Sequence, residues 1–343
     1  MTSLDEREVV AVAEALAAAG EHLVGPLACE PIARGRSNLT FCLGDGESRW
    51  ILRMPPRAGR SPSAHDVRRE HRVTRALHAS AVPVPRAVLL VEDPALLGAE
   101  FAVSAFVPGA TIQSRAELDA LDDAQVDAAV AALVGGLADL HRVEPAEVGL
   151  ADFARPDAYA ARQLRRWSGQ WEQVGPARLA GLAGEVVARL ERAIPPQRRT
   201  SVVHGDYRID NALLGLGRSE VTLNAVVDWE LATLGDPVAD VAMMCAYRHP
   251  GFDLIVGEPA AWTSPRLPDP TALAAVYEAR GGPELEHWDF HTALAHYKVA
   301  VIAAGIDYRR RAGAGSGAGH ACAGEAVEPF LHAALGAPQR RAE

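Results

Sequence analysis

The chain has 343 residues and a formal net charge of -10 at pH 7, which argues against general nucleic-acid binding because that needs a basic surface. Its 49% hydrophobic and 23% charged residues are typical of an ordinary globular protein that is long enough for two lobes. No apolar run is long enough to cross a membrane, and the four cysteines show no paired spacing. We therefore expect a cytoplasmic protein without a membrane partner, disulfides or a zinc site.

The first hundred residues predict a small antiparallel β lobe. Amphipathic spacing predicts a helix over residues 5–19. A second helix is expected over residues 64–79, with Glu70 on the same face as Val73 and Leu77. Short strand-like runs separated by turn residues predict five strands, near residues 31–33, 39–43, 49–54, 87–91 and 101–107.

The remainder of the chain predicts a mainly helical lobe. Val126, Val130, Leu133, Leu137 and Leu140 form the continuous apolar stripe of one long helix. Further helices are expected over residues 157–173, 177–193, 237–247, 270–280, 288–310 and 321–335, and short strands near 201–203, 212–214 and 225–227. We predict an α+β chain with a first lobe over residues 1–107 and a second over 108–343.

One hairpin in the second lobe brings polar side chains together. The strands near 212–214 and 225–227 are joined by a turn-rich link, so Asn211 and Asp228 lie at the open ends of a predicted hairpin. Amide and carboxylate oxygens suit Mg²⁺, and Asp206 lies just before the hairpin, placed to accept a hydroxyl proton. Each residue alone is a common turn former, but together they form the layout that a kinase needs.

This motif, His204-Gly205-Asp206 with Asn211 and Asp228, resembles that of the aminoglycoside phosphotransferase family, which has a bilobal protein-kinase-like fold. The resemblance covers nearly the whole chain. In several segments it points to one subgroup, which is similar to the kinase-like domain fused to some acyl-CoA dehydrogenases; these segments are residues 34–41, 50–56, 69–73, 162–167 and 228–237.

The resemblance implies an ATP- and Mg²⁺-dependent transfer of phosphate to a hydroxyl of a small molecule. It implies Asp206 as the catalytic base and Asn211 and Asp228 as the magnesium ligands. The other implied residues bind the nucleotide. Ser37 and Asn38 belong to a turn that covers the phosphates, and Arg53 on a strand binds the phosphates and pairs with Glu70 on a helix. The segment from Ala105 to Val107 is the implied hinge that binds adenine.

Arg53 is the clearest departure from the family pattern, which usually has a lysine at this position. The chain has a single lysine, Lys298. Arginine offers charge and bidentate hydrogen bonds to phosphate, but it is longer and planar, so the geometry of the phosphates can differ. This departure favours an alternative hypothesis, a nucleotide-binding pseudokinase without turnover, whereas the intact Asp206, Asn211 and Asp228 favour an enzyme.

The sequence leaves the acceptor open between two classes. An aminoglycoside or another cationic alcohol fits the family and the acidic balance of the chain. A hydroxyacyl thioester, such as a hydroxyacyl-CoA, or a related metabolite fits the subgroup and the arginine-rich residues 162–166.

Trp167 and Trp171 either wall the acceptor site or belong to the core, and Lys298 either binds an acidic group of the acceptor or is exposed. A protein acceptor is less favoured because residues 229–236 lead directly into a capped helix. The oligomeric state stays undetermined.

Overall fold

The first lobe is built on a five-stranded antiparallel sheet. The protein is described from a computed structural model that covers residues 3–32, 38–56, 66–217, 220–313 and 319–336. The strands of this sheet are β1 (Ala28–Pro31), β2 (Leu39–Gly44), β3 (Arg49–Met54), β4 (Ala87–Val91) and β5 (Phe101–Ala105). Their order in the sheet is β1-β2-β3-β5-β4.

Two helices pack on this sheet. The helix α1 (Glu6–Ala18) begins at a capping box formed by Asp5 and Glu8, and it buries Val12 and Leu16 in the core of the lobe. The helix α2 (Val67–Leu77) begins at Asp66, whose side chain accepts a hydrogen bond from the first turn. Both helices agree with the expected spans to within a few residues.

Strand β3 shows how the pleat directs a functional side chain into the cleft. Successive side chains of a strand point to opposite faces. Trp50, Leu52 and Met54 are therefore buried in the core of the first lobe, while Ile51 and Arg53 line a cavity between the lobes.

The second lobe is mainly helical and contains the larger core. The helix α4 (Asp123–Arg142) carries the predicted apolar stripe into that core. The other helices of the lobe are α3 (Arg115–Asp119), α5 (Tyr159–Val174), α6 (Ala180–Glu191), α7 (Pro237–Ala246), α8 (Phe252–Val256), α9 (Pro270–Ala279), α10 (Trp288–Arg311) and α11 (Gly319–Gly336). None of the helices within the described segments has the length and apolarity needed to span a membrane.

Four short strands in the second lobe position the predicted motif. Strands β7 (Ala212–Leu216) and β8 (Val221–Val226) form the expected hairpin, and β8 begins four residues before the expected start. The strand β6 (Ser201–Val203) pairs with β9 (Thr233–Gly235), which the sequence did not predict. With only three residues, β9 is too short to show a clear alternating pattern.

Candidate active site

The loop that follows β6 is held by a buried carboxylate from α7. Asp240 is 1% exposed and accepts hydrogen bonds from the backbone N–H groups of His204 and Gly205, at 2.5 and 2.7 Å. Gly205 has φ +84°, and a Cβ there would lie 3.0 Å from the Leu231 carbonyl oxygen, so the loop needs glycine. Burial alone would raise the pKa of Asp240, but its hydrogen bonds with His141 and the loop hold that pKa below its usual value.

The same loop presents Asp206 in a fixed orientation. One carboxylate oxygen accepts a hydrogen bond from the Tyr247 hydroxyl at 2.6 Å, and the other accepts from the Asn211 amide nitrogen at 3.1 Å. Burial and the Asp206 carboxylate raise the pKa of Tyr247 well above its usual value, so Tyr247 stays a donor. The carboxylate of Asp206 is thus fixed from both sides within the second lobe.

The β7–β8 hairpin brings Asn211 and Asp228 to one wall of the cavity. The Val227 N–H donates to the Asn211 carbonyl at 2.9 Å, and both predicted metal ligands line the cavity. The amide nitrogen of Asn211 donates to two oxygens of Asp206, which leaves its amide oxygen as the available ligand atom. Asp228 has φ 68° and ψ 56°, a left-handed conformation that aspartate tolerates better than most residues.

Arg53 forms two ion pairs, one within the first lobe and one across the cleft. Its guanidinium donates to Glu70 at 2.7 Å and to Asp228 at 2.8 Å. Burial opposes charge on Asp228, yet Arg53 more than offsets it and lowers the pKa of that carboxyl. Burial raises the pKa of Glu70, although Arg53 acts in the opposite direction. The family resemblance paired Arg53 with Glu70, and the structure adds Asp228 as a second partner.

The cavity between the lobes has a volume of about 360 Å³ and a lining of two chemical kinds. The charged part of the lining, called the charged end below, contains Arg53, Asn211 and Asp228. The apolar part, called the apolar end below, contains residues 104–107 and side chains from both lobes, namely Ile32, Ile51, Leu213 and Val227. A flat apolar base at one end and phosphates with a hard cation at the other would fit these surroundings.

The segment expected to bind adenine lies along this apolar end. Ala105 and Val107 both line the cavity. The Ala105 N–H donates to the Arg86 carbonyl at 2.8 Å and the Phe106 N–H to the Arg49 carbonyl at 3.1 Å. These two N–H groups are therefore engaged inside the sheet. A bound nucleobase would have to form hydrogen bonds with other backbone groups of the segment.

The expected phosphate-covering turn is only partly described. Ser37 lies outside the described residues. Asn38 is 4% exposed and lines the cavity, and its amide nitrogen donates to Glu230 of the second lobe at 3.2 Å. Its amide oxygen is buried and has no hydrogen-bond partner within the described segments. Asn38 therefore lines the cavity from the first lobe and contacts the second lobe through Glu230. The sequence did not predict this contact.

The arginine-rich residues considered for the acceptor wall lie away from this cavity, because residues 162–171 do not line it in the described part of the chain. Trp167 is 8% exposed and belongs to the core of the second lobe. Lys298 is not an exposed residue either, because its ammonium group donates to the Gly205 carbonyl at 3.0 Å and lies 5.6 Å from the centre of the Trp167 ring. Burial lowers the pKa of Lys298.

A segment that sequence reasoning missed, residues 252–262, also lines the cavity, and we call this part of the lining the outer wall. Phe252, Val256, Ala260 and Trp262 line it from the second lobe. These residues follow the motif by more than twenty positions, and nothing in their spacing distinguishes them from core residues. Arg208 and Asp210 also line the cavity, and their places inside the motif could have indicated a role.

The chain matches the sequence model of the phosphotransferase enzyme family, APH, over residues 28–288. It belongs to this family. The matched region contains Arg53, Glu70, Asp206, Asn211 and Asp228, so the resemblance drawn from the motif is confirmed.

The relatives of this APH family member include much longer proteins. It is 31% identical over 319 residues to acyl-CoA dehydrogenase family member 10 of Mus musculus, a match that covers 92% of this chain and 30% of the mouse protein. The chain thus spans less than a third of that relative. The predicted similarity to proteins named as acyl-CoA dehydrogenases is confirmed as well.

Solved structures confirm the bilobal kinase-like α+β fold. A Ralstonia eutropha JMP134 protein described as a candidate aminoglycoside phosphotransferase is 29% identical, with a TM-score of 0.80 and coverage of 96% of this chain and 99% of that one. A complex of the aminoglycoside phosphotransferase APH(4)-Ia with ADP and hygromycin B has a TM-score of 0.61 at 15% identity, with 91% and 95% coverage. At that identity, the second likeness concerns the fold alone.

Proposed function

We propose that this protein is an ATP- and Mg²⁺-dependent kinase that phosphorylates a hydroxyl group of a small molecule. One observation carries the proposal. Arg53 of the first lobe pairs with Asp228 at 2.8 Å on a cavity wall that also includes Asn211, and the Asn211 amide contacts the Asp206 carboxylate at 3.1 Å. A phosphate-binding cation and two metal-ligand candidates therefore line one cavity, and the proposed base lies beside it in contact with Asn211.

Each residue has a distinct role in this proposal. Asp206 orients the acceptor hydroxyl and takes its proton, and Tyr247 and Asn211 keep the carboxylate in place. Asn211 and Asp228 would hold Mg²⁺ through hard oxygen atoms. Bound Mg²⁺ would neutralise charge on the phosphates of ATP and orient them. Arg53 would bind the same phosphates when it exchanges its contact with Asp228 for them.

For the acceptor, we propose a hydroxylated metabolite of the acyl type, such as a hydroxyacyl thioester. The outer wall of the cavity, with Phe252, Val256, Ala260 and Trp262, suits an apolar chain. Three acidic residues of the cavity are already paired with arginine, which weakens the case for a polycation; these are Glu70, Asp210 and Asp228. The name of the mouse relative points to the same class of compound.

A phosphorylation screen tests the proposal. The protein is incubated with ATP, with or without Mg²⁺, and with hydroxyacyl thioesters, other hydroxylated metabolites or aminoglycosides, and the gain of phosphate mass is measured. We expect Mg²⁺-dependent phosphorylation of a hydroxyacyl compound. Phosphorylation of aminoglycosides alone would overturn the acceptor class but not the kinase. Binding of ATP without turnover on any acceptor, and without ATP hydrolysis, would favour the pseudokinase alternative.

The variant Asp206→Ala is the matched control for this screen. It removes the base but leaves Arg53, Asn211 and Asp228 in place. We expect the variant to lose detectable transfer and to bind ADP with nearly unchanged affinity. Turnover by the variant at the wild-type rate would contradict the role of Asp206.

A further inference from the structure

Arg208 lies in the catalytic loop between Asp206 and Asn211 and has no role in the mechanism described above. Its side chain is 17% exposed and lines the cavity. Its terminal nitrogen Nη2 lies 3.3 Å from Asp206 Oδ2, and its Nε lies 3.2 Å from Asp210 Oδ1. The guanidinium carbon is 5.3 Å from the ring centres of both Tyr247 and Phe252. Arg208 is thus a cation that contacts the proposed base and also lines the cavity.

The contacts of Arg208 are looser than those of the other cavity arginine. Charge-assisted hydrogen bonds have N···O distances of about 2.7–2.9 Å. Arg53 meets this standard with both partners, at 2.7 and 2.8 Å. Arg208 exceeds it with both carboxylates, and its buried Nε makes no aligned hydrogen bond within the described segments. Its guanidinium therefore has hydrogen-bonding capacity for an additional anion.

The position of Arg208 matches the place where charge changes during transfer. The carboxylate of Asp206 does not line the cavity in the described part of the chain, whereas its neighbours Arg208 and Asn211 do. An acceptor hydroxyl bound at Asp206 would lie close to Arg208, because Arg208 Nη2 is 3.3 Å from Asp206 Oδ2. A phosphate bound near Asn211 would lie close to the same oxygen, because the Asn211 amide nitrogen is 3.1 Å from it. Fixed positive charge at such a point stabilises the transition state of phosphoryl transfer.

We propose that Arg208 is a further catalytic residue, which exchanges its loose contacts with Asp206 and Asp210 for the phosphoryl group in transfer. This inference rests on the proposed kinase activity. In the step, the acceptor oxygen bonds to the γ-phosphorus of ATP, the bond from that phosphorus to the bridging oxygen of ADP breaks, and the hydroxyl proton passes to Asp206. Arg208 keeps its protons and contributes charge and a forked pair of hydrogen bonds.

A purely structural role for Arg208 predicts different behaviour. If the arginine only held the loop, its loss would reduce stability and would affect all bound states alike. If it binds the transferred group, its loss would spare the complex with ADP and weaken only complexes that mimic the phosphoryl group in transfer. A transition-state mimic therefore separates the two roles.

The test compares the affinity for ADP and Mg²⁺ with and without aluminium fluoride, which stands in for the transferred group. The variants are Arg208→Met, Arg208→Lys and the control Arg266→Met. Arg266 also has two carboxylate partners, Asp119 and Asp123, but does not line the cavity. Thermal unfolding of each variant reports on stability.

We expect aluminium fluoride to tighten ADP binding in the wild type and in Arg266→Met. In Arg208→Met this gain should fall by about 100-fold or more, while the affinity for ADP alone stays within about twofold. Arg208→Lys, which keeps the charge but loses the fork, should fall between them. An equal gain in Arg208→Met and the wild type would overturn the inference, as would an equal loss of affinity for both ligands. A wild type that binds no ADP would instead overturn the proposed function.

Discussion

The two sides of the cleft hold their charged residues in different ways. On the second-lobe side, Asp206 is fixed by Tyr247 and Asn211, which belong to the same lobe. On the first-lobe side, Arg53 has one partner in its own lobe, Glu70, and one across the cleft, Asp228. The proposed base, Asp206, is therefore positioned without help from the first lobe, whereas the cation that would bind phosphates depends on how the lobes meet.

The second lobe thus holds its polar groups in place by itself, whereas the position of Arg53 depends on how the two lobes are arranged. The second lobe alone carries the proposed base and the metal-ligand candidates, and a buried hydrogen-bond network around Asp240 supports the loop with Asp206. The first lobe supplies Arg53 and part of the apolar lining of the cavity. Changes in the second lobe should therefore affect the chemical step or the fold, and changes at Arg53 should mainly affect nucleotide binding.

The largest effect is expected for Asp228→Ala, because Asp228 is both a metal-ligand candidate of the second lobe and the partner of Arg53 across the cleft. The substitution removes a metal-ligand candidate and one partner of Arg53. We expect kcat to fall by about 1,000-fold or more, in line with the loss of a group that stabilises transition-state charge.

Titration of Asp228→Ala and the wild type with AMP-PNP, with and without Mg²⁺, is the second measurement. Removal of Mg²⁺ should weaken binding to the wild type by about tenfold or more and should hardly affect the variant. Equal dependence on Mg²⁺ would exclude Asp228 as a ligand.

Asp240→Asn tests whether the support of the second-lobe loop is electrostatic. The carboxylate accepts two backbone N–H groups and faces His141, so the amide should destabilise the protein by about 3 kcal/mol at pH 7. Because the folded pKa of Asp240 is lowered, this stability is present above its unfolded pKa of about 3.9 and is lost as pH falls further. The difference from the wild type should therefore shrink below pH 4. Denaturant unfolding measures it, with exposed Glu185→Gln as the control.

The hairpin with Asn211 and Asp228 was predictable from the sequence because it is local. Two strands and a turn-rich link fix which residues meet at its open ends. The pairing of Arg53 with Glu70 came from the family resemblance, and the structure places these two residues 2.7 Å apart. Local pattern and family pattern together thus located the charged end of the cavity.

The remaining parts of the site depend on contacts between distant segments. Tyr247 reaches Asp206 across 41 positions, and Asn38 reaches Glu230 across 192. The apolar outer wall begins at Phe252, which reads as an ordinary core residue. Trp167 illustrates the reverse case, because a tryptophan considered for the acceptor wall is buried in the core instead. Spacing along a chain indicates the face of an element but not what packs against it.

Substitution of Arg53 tests the dependence of nucleotide binding on the contact between the lobes. Arg53→Met leaves Glu70 without its cation, and we expect the KM for ATP to rise by about 10- to 100-fold. Arg53→Lys should recover part of this loss, because an ammonium group binds phosphate without the fork. A double-mutant cycle of Arg53→Met with Glu70→Gln should show a coupling energy of about 1 kcal/mol or more. Additive effects would mean that the ion pair does not position Arg53.

Tyr247→Phe is expected to have the smallest effect, and it tests the claim that the second lobe positions its own base. The substitution removes the hydroxyl that donates to Asp206 at 2.6 Å and leaves the rest of the ring in place. Asn211 still holds the other carboxylate oxygen, so the side chain should become less well ordered but not free. We expect kcat to fall by about tenfold with the KM for ATP unchanged, which corresponds to about 1.4 kcal/mol in the transition state. An increase in KM for ATP at constant kcat would contradict this assignment, because it would place Tyr247 on the nucleotide side of the cleft.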